Sequence, residues 1–314
     1  MNQQFLKDVI KGLSKAPQKA LSSKYFYDAA GDALFVKIMA MPEYYLTNAE
    51  MDIFKNKTDE LIAGLALNKG LHYEFIEFGP GDGTKTIHLL SGLTEQGYKF
   101  EYLPVDISEN ALKGLEKMLD SKLPALKISA KQGDYFVTLE QLRHNTRPKV
   151  VMVLGSNIGN LSDDKAATFI YQLGANLVKG DRIILGVDLI KAKEIVLPAY
   201  SDAQGITAAF NLNLLDRINK ELDGNFDTDQ FEHFADYEED EGIAKSFLRS
   251  KVKHEIKVAN QRFNFEKGET IQTEISRKYN DQIIKNILSE TDITCEYKIM
   301  DSKGLFADYI LMKH

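Results

Sequence analysis

Apolar and polar positions follow two different rhythms along this chain, and the change between them divides it. From about residue 72 to 190, short apolar runs end in glycine, asparagine or an acid and pass into stretches with helical spacing. The runs are Phe75, Ile76 and Phe78; KFEYLPVD at 99–106; a shorter one around 127–130; KVVMVLGSNIGNL, apolar over 150–154; and RIILGVDLI at 182–190. Such unbroken apolar runs suit strands covered on both faces, and SENALKGLEKMLD and DDKAATFIYQLGANLV suit the helices between them. The alternation predicts an α/β fold with a parallel sheet and right-handed crossovers.

The flanks read differently. Phe5, Val9, Ile10 and Leu13 recur at helical spacing in residues 1–22. Tyr25, Phe26, Tyr27, Tyr44 and Tyr45 then crowd around two helical patterns that break at Pro42, with Thr47 and Glu50 spaced as a capping box. Packing between helices accounts for these aromatics; a lid over a ligand is the alternative. Residues 191–246 read as a helical, acidic insertion without strands. After it, Val252, His254, Ile256 and Val258 alternate on one strand face. Beyond Gly268 the same period puts Gln272, Glu274 and Ser276 on one face and Ile271, Thr273 and Ile275 on the other. A solvated face explains Glu274 and Ser276; a polar pocket wall is the sharper reading. A helix near 280–291 and the hairpin ITCEYKIM/LFADYILM close the chain.

Composition narrows the partners. A net charge of −7, a sequence pI near 5.5 and no dense Lys/Arg run exclude a nucleic-acid partner held by phosphate neutralisation. Cys295 is the single cysteine, so an intrachain disulfide and a multi-cysteine zinc site are both excluded, and no metal is expected. The N-terminus lacks an apolar signal core, and no stretch reaches the ~20 apolar residues of a membrane span. A cytoplasmic protein with a small-molecule ligand and no obligatory protein partner is expected.

The chemistry-bearing stretch is YEFIEFGPGDGTKTIH, residues 73–88. Gly79, Gly81 and Gly83 at the end of an apolar strand let the backbone turn and approach a ligand, and the next helix offers free N–H groups. Thr84 stands where a nicotinamide-dinucleotide fingerprint needs its third glycine. Asp106, at the carboxyl end of the second strand, is placed to accept ribose hydroxyl protons; a helix cap is the alternative, but Ser108 fills that role equally well and the pairing with the glycine loop favours ribose. Asp134 follows the third strand inside Gly133-Asp134-Tyr135. The fourth strand ends in Gly155, Ser156, Asn157, Gly159 and Asn160, where positioning residues are expected; a left-handed turn is nearly as good an account of Asn157.

The pattern E-x-G-x-G-x-G resembles the first motif of class I S-adenosylmethionine-dependent methyltransferases. The whole chain resembles the histidine-specific Nα-methyltransferases of ergothioneine biosynthesis, through KYFYDAAGDALF, MPEYYLTNAE, EFGPGDGTKT, LPVDIS, GDY, LGSNIGNL, AYSDAQGITAAFNLNLL and GETIQTEISRKY in that order. That resemblance implies a Rossmann-like seven-stranded sheet with a second α+β substrate domain, formed by the N-terminal segment and an insertion. The implied boundaries are 1–55, 56–190, 191–279 and 280–314. It also implies S-adenosyl-L-methionine as cofactor and methylation of the L-histidine α-amino group, up to trimethylhistidine (hercynine). The residues implied for the cofactor are Glu77, Gly79, Gly81, Gly83, Lys85, Asp106, Asp134 and Tyr135. For the substrate they are Tyr44, Phe35, Asn160, Tyr200, Glu274 and Ser276, with Tyr27 and Asn160 nearest the chemistry. The family commonly has methionine and tryptophan where this chain reads Ser246 and Phe247, which leaves open the same transfer to another amino acid or small amine. A cofactor-binding module without turnover is a further alternative.

Overall fold

The computed structural model describes residues 2–143 and 145–314. In chain order its elements begin with α1 (Gln3–Leu13), β1 (Lys19–Ala20), α2 (Ala29–Met39), α3 (Tyr45–Asn56) and α4 (Thr58–Leu65). The alternating stretch follows: β2 (His72–Phe78), α5 (Thr86–Glu95), β3 (Lys99–Asp106), α6 (Glu109–Lys122), β4 (Lys131–Gln132), α7 (Tyr135–Leu142), β5 (Lys149–Val153), α8 (Asp163–Ala175) and β6 (Arg182–Asp188). Then come α9 (Lys193–Tyr200), α10 (Ile206–Leu222), β7 (Phe231–Glu238), β8 (Ile243–Ser250), β9 (His254–Val258), β10 (Gln261–Phe265) and β11 (Thr270–Arg277). The chain closes with α11 (Asp281–Leu288), β12 (Ile293–Met300) and β13 (Phe306–Lys313). They form two compact units, residues 46–190 with 278–314, and residues 1–45 with 191–277. Among the described residues no helix is long and apolar enough to cross a membrane.

The first unit holds a seven-stranded sheet in the order β12-β13-β6-β5-β2-β3-β4. β2, β3, β4, β5 and β6 run parallel, and β13 enters antiparallel to β6. Leu139, Ile170 and Ile284 bring α7, α8 and α11 onto one face; Ile53, Leu61, Leu89 and Leu115 bring α3 to α6 onto the other. Two covered faces explain the unbroken apolar runs. The first division falls at residue 45 rather than 55, because α3 buries Ala49, Ile53 and Phe54 in this unit's core. The third strand is shorter than expected: a bridge between Tyr102 and Ile128 precedes the two-residue β4. Thr47 and Glu50 are not a capping box either, since α3 already begins at Tyr45 and both lie inside it.

The second unit carries a four-stranded sheet, β1-β11-β8-β7, and the separate hairpin β9-β10. Here the insertion differs from expectation, because residues 231–238 form β7. Its sequence FEHFADYE hides a strand among acids: Phe231, His233, Ala235 and Tyr237 pair with the buried Ser250, Leu248, Ser246 and Ala244 of β8. The intervening Glu232, Asp236 and Glu238 gave it the look of a solvated helix.

The β11 pairing carries a second correction. Gln272 lies opposite Phe247 but Glu274 opposite Ser246, so Thr273 is an extra residue in the ladder. A bulge of this kind turns the following side chains to the other face. Gln272 therefore does not share a face with Glu274 and Ser276, which instead stand beside Ser246 and Ala244 on the side that packs on α9 and α10. The Thr273 hydroxyl is anchored there, 2.6 Å from Asn211 Oδ1 and 3.1 Å from the Ser246 carbonyl.

At the end of β6, Lys278 Nζ and Asp188 Oδ2 form an ion pair at 2.8 Å with both side chains fully buried. Removing one partner takes the nearest counter-charge from the other in a dry core. We expect Lys278→Ala to lower stability by about 3–5 kcal/mol in urea unfolding, against about 0.5 kcal/mol for Lys113→Ala in an exposed i,i+4 pair.

Candidate functional site

The loop after β2 is built on left-handed backbone. Gly79, Gly81 and Gly83 have φ of 64°, 60° and 70°, values at which a Cβ is costly. A Cβ on Gly79 would stand 2.8 Å from the Tyr135 hydroxyl, whereas one on Gly81 would meet nothing within 4 Å. Gly81 thus presents bare backbone to open space, as a ligand cradle requires. Just before the loop, Glu77 is 1% exposed. Thr86 Oγ1 donates to it at 2.8 Å and Tyr102 OH at 2.5 Å. Each carboxylate oxygen is thereby engaged once, so Glu77 ties β2 to α5 and β3 and positions the loop. Burial pushes its carboxyl up to about 7, with the Tyr102 and Thr86 hydrogen bonds and the Lys85 charge opposing.

The neighbouring strand ends contribute the other expected residues. Ser108 caps α6 by accepting from Ala111 N–H, while Asp106 accepts the Ser108 N–H at 2.8 Å through one oxygen. Asp134 does cap its helix, Oδ1 accepting from Phe136 at 2.9 Å and Val137 at 3.2 Å. Tyr135 stacks on Phe78 with centroids 4.6 Å apart. Burial, then the Asp106 and Asp134 charges, push its hydroxyl up to about 12. Gly79, Asp106, Asp134 and Tyr135 therefore do converge on one corner. Lys85 is bound to Glu50; burial opposes its charge, and the Glu50 carboxylate outweighs that and holds its pKa above the ordinary value. After β5 the left-handed residues are Gly155 and Ser156, at φ of 73° and 56°, and not Asn157. Asn157 opens a short 3₁₀ turn that ends at Asn160.

The second unit gathers the aromatic candidates. Tyr27 meets Phe35 at 5.6 Å between centroids, and Phe35 meets Tyr44 at 6.2 Å. Phe210 of α10 joins them, 5.9 Å from both Tyr27 and Phe35. Asp28 holds this corner together by capping α2 through the Gly31 N–H and accepting from Asn213 of α10. Tyr200, the last residue of α9, donates its hydroxyl to Ser276 Oγ at 2.7 Å. The Tyr27 residue is 44% exposed, yet burial around its hydroxyl, with the Glu274 charge added, raises its pKa well beyond that of a free phenol. Tyr27, Phe35, Tyr44, Tyr200, Glu274 and Ser276 thus belong to one unit, and Glu274 acts electrostatically on Tyr27.

A profile described as "Histidine-specific methyltransferase, SAM-dependent" matches residues 5–313. The chain belongs to this family. A histidine N-alpha-methyltransferase of Mycolicibacterium smegmatis is 34% identical over 302 residues, covering 96% of this chain and 92% of that one. Another, from Mycobacterium tuberculosis, is 33% identical over 88% of this chain and 85% of its own length. Ergothioneine biosynthesis protein 1 of Schizosaccharomyces pombe is 29% identical over 93% of this chain, and the match spans 39% of that longer protein.

As a member of the histidine-specific methyltransferases, this enzyme takes its methyl group from S-adenosylmethionine, and its sheet has the Rossmann-like order expected of the class. The open face of Gly81 and the acid-lined corner around Tyr135 fit such a cofactor. Two residues of this methyltransferase escaped the sequence reading. Phe210 carried only a weak signal, apolar spacing with Leu214 on α10, and Glu50 looked like a cap. Phe247 is not beside Glu274: it stacks on Phe234 across the opposite face of the small sheet, centroids 5.0 Å apart.

The raised Glu77 carboxyl makes a pH prediction. Its folded pKa lies above its unfolded one, so its contribution is fully present below about pH 4.5 and lost as pH rises through about 7. Glu77→Gln should therefore flatten the fall in unfolding free energy across that window by on the order of 3 kcal/mol. Denaturant titrations of both proteins at a series of pH values check it; parallel curves would refute it.

Proposed function

We propose that the enzyme methylates the α-amino nitrogen of L-histidine and repeats the transfer up to trimethylhistidine (hercynine). The observation that carries the acceptor assignment is the Thr273 bulge, which puts Glu274 and Ser276 on the inner face beside Ser246, with Tyr200 hydrogen-bonded to Ser276. A carboxylate and a hydroxyl one strand step apart can accept from and donate to the two nitrogens of an imidazole. Tyr44, Asn160 and Tyr200 are assigned to the amino acid's ammonium and carboxylate, and Tyr27 and Phe35 to the walls around the reacting nitrogen. Gly79, Gly81, Gly83, Lys85, Asp106, Asp134 and Tyr135 are assigned to the cofactor, with Glu77 fixing their loop.

When bound, the cofactor supplies an electrophilic methyl on a sulfonium. The chain's own work is to present the amine as a free base in line with that methyl. An α-ammonium, which titrates at about 7.7–8.0 at a peptide terminus and higher in a free amino acid, has to release its proton first. Tyr27 cannot hold that proton as a preformed phenolate, because its raised pKa keeps it a neutral phenol. Its oxygen can accept a hydrogen bond from the amine and so orient the lone pair, and the proton leaves to water. The aromatic ring faces of Tyr27 and Phe35 favour the methylammonium that accumulates, by about 0.5–2 kcal/mol for each cation–π contact.

Titrating histidine, and tryptophan and tyrosine as controls, in the presence of S-adenosylhomocysteine tests the acceptor; mass spectrometry with S-adenosylmethionine counts the methyl groups added. Histidine binding with gains of one to three methyls is expected, and a protein that methylates another amine but ignores histidine overturns the assignment. Glu274→Ala should raise the histidine KM about 10- to 100-fold, the loss of a hydrogen bond to a charged group, while the cofactor KM stays near wild type. In the wild type, kcat/KM should climb with pH as the amine deprotonates and show no alkaline limb from Tyr27 below about pH 10, the ordinary tyrosine value. A downturn that Tyr27→Phe abolishes would contradict the neutral-phenol role.

A further inference from the structure

Beneath the carboxyl ends of β2, β5 and β6 lies a cluster of buried charge that binding residues alone do not explain. Lys85 Nζ is bound to Glu50 Oε2, and the charged groups facing it are Glu50 from α3, Glu77 from β2 and Asp308 from β13. Glu50 is 2% exposed and also accepts the Gly155 N–H, at 2.9 and 3.0 Å to its two oxygens. One side chain thereby holds the residue expected to meet the cofactor's amino-acid part and the first residue of the loop after β5. Asp308 is fully buried, and neither of its oxygens has a hydrogen-bond partner. Its Oδ1 lies 2.9 Å from where a Cβ on Gly186 would stand, and Glu50 Oε1 comes closer still. The two carboxyls thus converge over a glycine that has no room for a side chain.

One ammonium cannot neutralise two ionised carboxylates here, and a buried carboxylate without a donor is far costlier than the protonated acid. Burial first, then the Glu50 charge, push the Asp308 carboxyl well above the usual range, with Lys85 opposing. We infer that Glu50 and Asp308 hold one proton between them, carried by Asp308, with Glu50 the counter-charge of Lys85, and that Glu50 is the positioning residue that sets Lys85 and the Gly155 loop for the cofactor. The inference rests on the assignment of Lys85 to the cofactor and not on the identity of the acceptor.

Calorimetric titration of the full chain with S-adenosylhomocysteine tests it. Glu50→Gln should weaken binding about 10- to 100-fold, as for a lost charged hydrogen bond, and raise the cofactor KM while kcat at saturating cofactor changes much less. Glu50→Asp, which keeps the charge but shortens its reach, should fall between Gln and wild type, and it carries the test alone if Glu50→Gln does not fold. Wild-type affinity in either variant overturns the positioning role. For the proton on Asp308, Asp308→Asn, isosteric with a neutral acid, should keep the thermal midpoint close to wild type, and a collapse of the midpoint means that Asp308 is ionised. Infrared spectroscopy offers a second readout: a carbonyl band of a protonated carboxyl at neutral pH that Asp308→Asn removes and Glu77→Gln leaves in place. Its absence overturns the neutral Asp308. A wild type that binds S-adenosylhomocysteine but not histidine would sink the acceptor assignment while leaving this test intact.

Discussion

Three left-handed glycines at the end of one central strand constrain everything around the cofactor corner. A parallel strand buried on both faces has to leave the sheet abruptly, and Gly79, Gly81 and Gly83 do so with φ near +65°. The turn is held from both sides. Glu77 anchors its start through Thr86 and Tyr102, and Lys85 anchors its far end through Glu50. Because Glu50 also accepts the Gly155 amide, the loop after β5 takes its place from the same carboxylate. A shift in any one of these contacts is passed to two strand ends at once, so the binding corner is stiff before a ligand arrives. Stiffness of this kind is what binding through backbone amides requires, since the ordering cost is met in folding.

In the smaller unit the equivalent constraint is one extra residue. Without the bulge at Thr273, the period of β11 would put Glu274 and Ser276 opposite odd-numbered residues of β8, on the face where Phe247 and Phe234 stack. With it, both turn toward α9 and α10, Ser276 meets Tyr200, and the Glu274 charge reaches the Tyr27 hydroxyl. The bulge is pinned by the Thr273 hydroxyl against Asn211 and the Ser246 carbonyl. A hydroxyl at the bulge position therefore helps to set the face that Glu274 and Ser276 occupy, even though it points at α10.

The legible parts of the sequence were those in which a local pattern carries its own physics. Apolar runs ending in glycine gave the parallel strands because two-sided burial leaves no room for polar alternation, and the three spaced glycines gave the loop because few other residues tolerate that backbone. What stayed hidden depends on neighbours distant in sequence. β7 is visible only against β8, since its acids alternate with half-buried residues that no window can tell from a solvated helix. The bulge has no signal in a strictly alternating QTEIS. Glu50 was misread because S/T-x-x-E is a capping pattern only when a helix starts there, and α3 had begun two residues before Thr47. Asp308 looked like an ordinary polar step in LFADYILM, although it is wholly buried.

The two raised acids and the raised phenol bear on the same chemical problem. Each proton that a side chain holds tightly is one that it cannot exchange with an amine. Burial first, then the Glu274 charge, keeps Tyr27 a phenol, and burial first, then the Glu50 charge, pushes Asp308 toward the neutral acid. Neither can serve as a standing base near neutral pH. Under the proposed mechanism the enzyme gains its rate from holding an amine already deprotonated by solvent, and an amine that gains methyl groups loses N–H donors at each turn. Under the proposed assignment, contacts to those donors weaken as the reaction proceeds, whereas ring faces and imidazole contacts from Glu274 and Ser276 do not. Retention of the substrate through the proposed successive transfers then depends on the ring end of the molecule, and that assignment places the burden of binding on β11 and its bulge.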